Sequence, residues 1–127
     1  MNHPRLGDAE LDIMLILWNG RRAMTAKEVQ QGLIGKRDWA LSSLMTALER
    51  LCAKGFIACD RTAGTNLYTP QVQEEAYRAG EGKTLLEKLY GNSVGSLVAS
   101  LYAGRVIGEK ELSELRRLID ELEGGRN

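Results

Sequence analysis

The order of helix and turn signals between residues 24 and 70 leaves this chain few folds to adopt. Thr25-Ala26-Lys27-Glu28 has the Thr-x-x-Glu spacing in which hydroxyl and carboxylate each satisfy a free backbone N–H, so a helix starts there. It runs to about Leu33, with Val29 and Leu33 inward. The next helix carries Leu41, Leu44, Leu48 and Leu51 on one face, with Ser42 as its expected N-cap and Gly55 as its stop. Phe56 to Arg61 and Asn66 to Thr69 then read as two strands joined by a short loop, Ala63-Gly64-Thr65, with the glycine at its tip. Upstream, Leu11, Met14, Leu15 and Trp18 recur at helical spacing, predicting a helix over residues 8 to 19 that Gly20 ends. Asp8 and Glu10 load its first turn with the negative charge a helix dipole favours. Between the first two helices Ala23-Met24 leaves room only for a stub of strand.

Turning the leucine-striped helix over at about 100° per residue brings Ser42, Ser43, Thr46, Arg50 and Ala53 to the opposite face. That face is small and hydrogen-bonding at its start, with an arginine further on and no long acid before Glu49 on the shoulder. A merely solvated face is usually richer in Glu and Lys. Helix, stub, helix, helix and hairpin is the order of a winged helix-turn-helix, in which the last helix enters the DNA major groove and the hairpin lies against the neighbouring backbone. The candidate DNA-facing residues are therefore Ser42, Ser43, Met45, Thr46 and Arg50, flanked by Lys54, Arg61 and Thr65.

Charge supports this only locally. The 127 residues hold 17 Lys plus Arg and 17 Asp plus Glu, so no global surplus points to nucleic acid. Between residues 21 and 61, however, eight cations face four carboxylates, and phosphate neutralisation supplies most of the affinity of a DNA-binding module. A protein-binding winged helix is the alternative, because Met45 and the uncharged loop tip both weaken the DNA signal.

After Pro70 the pattern changes. Leu85, Leu86, Leu89 and Tyr90 make one amphipathic helix, which Gly91-Asn92 break. Val94, Leu97, Val98 and Leu101 make a second, and Gly104 and Gly108 punctuate again. Leu112, Leu115, Ile119 and Leu122 then alternate by three and four, as in a coiled-coil seam. Two heptads do not stand alone. A homodimer interface built on Leu97, Leu101, Leu112, Leu115, Ile119 and Leu122 is the first expectation, and folding back onto the winged domain is the second. The expected architecture is mainly α with a small β-hairpin: a winged helix-turn-helix over residues 1–77, then a three-helix dimerisation segment over 78–127.

Other classes are excluded by what they need. The one histidine, His3, sits at the terminus, and Ser42-Ser43 has no histidine or lysine partner, so no catalytic set is present and an enzyme is not expected. Cys52 and Cys59 are too few and too oddly spaced for a disulfide framework or a zinc site, and neither a metal nor a cofactor is expected. The terminus Met1-Asn2-His3-Pro4-Arg5 lacks an apolar signal region, and no stretch approaches the roughly 20 apolar residues of a membrane span, so a cytoplasmic protein is expected.

Six segments in order carry a family resemblance: "LGDAELDIMLILW" (6–18), Thr25-Ala26-Lys27-Glu28, "WALSSLMTALER" (39–50) running into Lys54-Gly55-Phe56-Ile57, Tyr68-Thr69-Pro70, "GSLVASL" (95–101) and "LSELRRLI" (112–119). With these the chain resembles the penicillinase repressors, the BlaI/MecI family, over almost its full length. The resemblance implies a homodimeric transcriptional repressor whose winged helix reads a palindromic double-stranded operator and whose C-terminal helices hold the dimer. In the best-known members a membrane-bound β-lactam sensor triggers cleavage in that segment, and repression lifts. The bond matching the family's cleaved Asn–Phe pair is Ser100-Leu101. Where several relatives carry lysine, arginine or glutamine this chain has Met45, and Ser42 stands where they have lysine, so its recognition helix is less basic. The family's copper-responsive branch has a C-terminal cysteine cluster, whereas this chain has no cysteine after Cys59, which excludes copper sensing.

Overall fold

A computed structural model describes residues 5–62 and 64–125. It contains α1 (Asp8–Gly20), α2 (Ala26–Gly32), α3 (Leu41–Ala53), β1 (Ile57–Asp60), β2 (Leu67–Pro70), α4 (Glu74–Leu89), α5 (Val94–Ala103) and α6 (Glu109–Gly124). The mainly helical fold with one small sheet is the expected class. The chain divides into two compact units, Met1–Glu81 and Gly82–Asn127, and α4 runs through the divide.

In the first unit α1, α2 and α3 enclose a core that the hairpin closes. Ile13, Met14 and Leu17 of α1, Val29 and Leu33 around α2, Leu44, Leu48 and Leu51 of α3, and Phe56 are fully buried. Gly32 lets α2 sit close on α1, since a Cβ there would stand 3.0 Å from two carbons of Ile16. The strands pair antiparallel with Ile57 opposite Pro70 and Cys59 opposite Tyr68. The expected strand stub exists as a bridge in which Met24 N–H donates to Tyr68 O (3.0 Å) and Tyr68 N–H to Met24 O (2.8 Å). The start of α4 belongs to this core too. Tyr77 is buried there, its hydroxyl accepts from Leu6 N–H (3.0 Å), and Trp18 Nε1–H donates to Val72 O (2.9 Å).

Several local expectations are corrected. Gly20 does not stop α1 but forms its last turn, and Arg21 takes the left-handed cap at φ 54°. The buried stripe of α1 centres on Ile13, Met14 and Leu17, with Leu15 and Trp18 half-buried at its margin, because α2 and the hairpin approach that side. Ser42 is not the N-cap of α3: the helix starts at Leu41 behind Ala40, which offers no side-chain cap. β1 is one residue shorter at each end, leaving Phe56 and Arg61 outside it, and β2 is shifted by one residue, losing Asn66 and gaining Pro70.

The second unit is three helical stretches joined by tight turns. Gly91 (φ 54°) and Asn92 (φ 65°) make the expected break, and Ser93 caps α5 by accepting from Ser96 N–H at 3.0 Å. Gly108 precedes α6, its N–H donating to Glu111 Oε1 at 2.7 Å. Tyr90 and Ser100 hydroxyls meet at 3.2 Å, and Tyr102 O–H donates to Glu109 Oε1 at 2.6 Å. No described residue of this unit is buried. No helix among the described residues is long and apolar enough to cross a membrane.

Candidate nucleic-acid interface

α3 exists because its apolar residues fall at three- and four-residue spacing, and burying Leu44, Ala47, Leu48 and Leu51 fixes which way its other side points. That other side is exposed. Ser42, Ser43, Met45, Thr46, Arg50 and Lys54 are all solvent-facing, as are Arg61 and Thr65 on the hairpin. Thr46 Oγ1 donates to Ser42 O at 3.1 Å, which leaves its lone pairs outward. The Ser42 and Ser43 hydroxyls make no hydrogen bond among the described residues.

Met45 and Thr65 both line a concavity of about 480 Å³, together with Thr25, Lys27, Leu41 and Asn66. Its walls are the start of α2, the first turn of α3 and the hairpin, so it collects contributions from all three parts of the module. Thr25 caps α2 in a complete box: Glu28 N–H donates to its hydroxyl (3.2 Å), and its own N–H donates to Glu28 Oε1 (3.0 Å). At the hairpin, Asp60 Oδ1 accepts from Thr62 N–H (2.9 Å) and Thr62 O–H (2.6 Å), which holds the Asp60 carboxyl below its usual value. Gly64 takes φ 83°, a conformation that suits glycine. Ala63, the remaining residue of the expected tip, lies outside the described residues.

The charges divide into a paired set and an open set. Lys54 Nζ sits 2.9 and 2.7 Å from the two Glu10 oxygens. Burial pushes the Glu10 carboxyl up, but the Lys54 hydrogen bond, the Gly7 N–H and the positive charges of Lys54 and Arg50 outweigh it and hold the carboxyl below its usual value. Arg22 bonds Glu28 at 2.6 Å, and that guanidinium first, then the Thr25 N–H, brings the Glu28 carboxyl down to about 2. Asp12 takes Arg37 at 2.7 Å and Lys36 at 3.9 Å. Arg21, Lys27, Arg50 and Arg61 carry no ion pair among the described residues.

The local surplus read from the sequence is thus reduced by carboxylates that lie earlier in the chain, Glu10 and Asp12 of α1. Of the eight candidate residues, Met45 and Thr65 both line the concavity, Ser42, Ser43, Thr46 and Arg50 continue along α3, Arg61 is exposed on the hairpin just after β1, and Lys54 is turned to α1. Lys27, counted in the local surplus, and Asn66 are not among the expected site residues. Lys27 is the exposed position inside the capping box, and only its place beside the hairpin, which the sequence does not show, brings it to the site; nothing in the sequence marks Asn66. Among the described residues no group of three or more metal-binding side chains occurs.

A small hydrogen-bonding helix face beside a hairpin, on a bundle of three helices, defines a winged helix-turn-helix module, here followed by a helical unit without a core of its own. Residues 6–121 match the family described as penicillinase repressor, and the chain belongs to that family. It is 33% identical over 123 residues to the transcriptional regulator BlaI of Mycobacterium tuberculosis, covering 95% of this chain and 87% of that protein. The solution structure of monomeric Bacillus licheniformis BlaI in complex with the blaP half-operator is 30% identical, with a TM-score of 0.50 over 58% of this chain and 89% of that one. The solution structure of the DNA-binding domain of the repressor BlaI gives 29% identity and a TM-score of 0.51 over 61% and 94% of the two chains.

Proposed function

We propose that this chain is a homodimeric, cytoplasmic transcriptional repressor that reads a palindromic operator with α3 and grips the flanking phosphates with the hairpin. The observation that carries the reading is the outer face of α3. It presents unpaired hydroxyls and an unpaired arginine, while cations behind it are neutralised by α1. The relative solved with a half-operator matches this chain over the same module. Ser43 and Thr46 are short enough to approach base edges or phosphates closely, and Arg50 reaches a guanine or a phosphate. Ser42, Met45 and Thr65 line the approach. Lys54 contributes through its Glu10 pair to the seating of α3 on α1 more than to phosphate.

Dimerisation falls to residues 78–127 in this reading. One module at physiological salt holds DNA at only about 10⁻⁴ to 10⁻⁶ M through phosphate contacts, and a second module on the same particle makes the next contact intramolecular. Leu97, Leu101, Leu112 and Leu115 are half-buried and Ile119 and Leu122 exposed, so the second unit has apolar surface still to cover. Cleavage at Ser100-Leu101 within α5, downstream of a membrane sensor-protease, would separate α6 from the rest and lift repression.

The test is binding to a duplex carrying the promoter of the chain's own gene. Affinity should fall about 10³- to 10⁵-fold between about 50 and 200 mM salt, as 6–10 phosphate contacts require. Arg50→Ala should cost about 1–3 kcal/mol and erase discrimination at one position per half-site. Equal weakening on every sequence would make Arg50 a phosphate clamp, and a flat salt response would return the protein-binding alternative.

A further inference from the structure

We propose that Asp12 of α1 is a positioning residue for DNA recognition, acting through Arg37 and Trp39 to hold the turn that launches α3. The proposal rests on the reading of α3 as the DNA-reading helix. Base readout needs that helix fixed in pitch and rotation, and its first turn is poorly secured from within. Ala40 provides no cap, and Leu41 is only half-buried. The first bond of the helix, Leu44 N–H to Ala40 O at 3.1 Å, therefore depends on what holds the residues just before it.

Those residues are held from two sides. Gln30 Nε2 donates to Trp39 O at 2.8 Å, tying the turn to α2. The Arg37 guanidinium lies 5.9 Å from the centre of the Trp39 ring, and its Nε donates to Asp12 Oδ2 at 2.7 Å, tying the turn to α1. Arg37 N–H also returns to Leu33 O at 2.8 Å. A carboxylate on the first helix thus fixes a cation that lies over an aromatic ring two residues before α3. Arginine suits the place because its guanidinium, unlike an ammonium, offers several donors for the carboxylate while its weakly hydrated cation remains over the ring. The side chains of Asp12 and Arg37 are 22% and 30% exposed, so the pair is sheltered compared with an ordinary surface ion pair. Lys36, at 3.9 Å and 63% exposed, is a secondary partner.

The experiment uses the intact chain with Asp12→Asn, Arg37→Lys and Arg37→Ala. The probes are a duplex that the wild type selects from a random pool and a scrambled duplex of the same composition. Asp12→Asn should bind the selected duplex about tenfold more weakly, the cost of roughly one misread base pair, while the scrambled duplex is bound at least as well because a negative charge is gone. Arg37→Lys, which keeps the charge and loses the guanidinium, should fall between wild type and Arg37→Ala. Without DNA, amide exchange at Leu44 should quicken in Asp12→Asn, while the Phe56 amide bonded to Leu51 O in the core stays protected. Asp12→Asn within twofold of wild type on the selected duplex, with Leu44 exchange unchanged, overturns the proposal. Equal loss on both duplexes for Arg37→Ala also overturns it, since that marks a phosphate contact. A wild type that does not prefer its selected duplex breaks the DNA reading instead, an outcome distinct from a discriminating wild type whose Asp12→Asn variant discriminates as well.

Discussion

The two units answer the same amphipathic patterning in opposite ways. In the first, every apolar stripe finds a partner within the unit: α1, α2, α3 and the hairpin converge on Phe56, Leu48 and Ile13, none of which retains exposed surface. In the second, stripes of similar quality remain open, with Leu89 70%, Val94 57% and Leu122 63% exposed. Short helices draw most of their stability from burying such a face. The first unit closes its own core, whereas the second leaves its apolar faces uncovered. A large exposed apolar surface rimmed by charge is the usual sign of an interaction site.

The largest test of that contrast is to separate the units. Residues 1–81 alone should fold and remain monomeric by light scattering, yet bind a full palindrome about 10²- to 10⁴-fold more weakly than the intact chain. Equal affinity would mean that the second unit adds no avidity, and the proposed effect of cleavage at Ser100-Leu101 would lose its basis. Next in size is a pair of substitutions. Leu48→Ala should cost about 2–5 kcal/mol in urea melts at any protein concentration, as for other fully buried leucines. If residues 78–127 hold a dimer as proposed, Leu115→Asp should instead leave the first unit's transition in place while the mass by light scattering falls to that of the monomer. If both substitutions acted alike, the units would share one core.

The smallest effect is a pH dependence inside the first unit. Glu28 sits at about 2, below its usual 4.5, because Arg22 and the Thr25 N–H favour the charged form. A depressed carboxyl stabilises the fold fully above the unfolded value and loses that contribution as pH falls from about 4.5 toward 2. The carboxyl shift of Glu28 followed by NMR should show a midpoint near 2, and Arg22→Ala should raise it. A midpoint unmoved by that substitution would leave the capping box alone as the cause.

Where the signal was local, the sequence carried it. Thr25 and Glu28 announce the start of α2, Gly64 marks the hairpin tip, and the leucines of α3 orient its outer face, all through neighbours three or four residues away. What stayed illegible depends on contacts distant in the chain. Lys54 is 44 residues from Glu10, and Arg37 is 25 from Asp12, so no window of sequence could tell that these cations are spoken for. The early start of α4 at Glu74 was hidden because a single apolar residue, Tyr77, anchors its first turns, and one residue makes no period. Arg21 rather than Gly20 takes the left-handed cap because Gly20 is still hydrogen-bonded within the last turn, and propensity alone does not choose between the two.

The bridge at Tyr68 couples parts that the word wing suggests are separate. Both main-chain bonds of Tyr68 go to Met24, one residue before the Thr25 cap, while its flanking residues pair with β1. β2 is therefore the middle rail of a three-rail track whose outer rail is the α1–α2 junction. The hairpin cannot swing as a free flap without breaking two bonds at that junction and disturbing the start of α2. Local opening of the first unit should accordingly involve hairpin base and helix junction as one cooperative step, so a load applied to the hairpin by a bound partner is felt directly at Thr25.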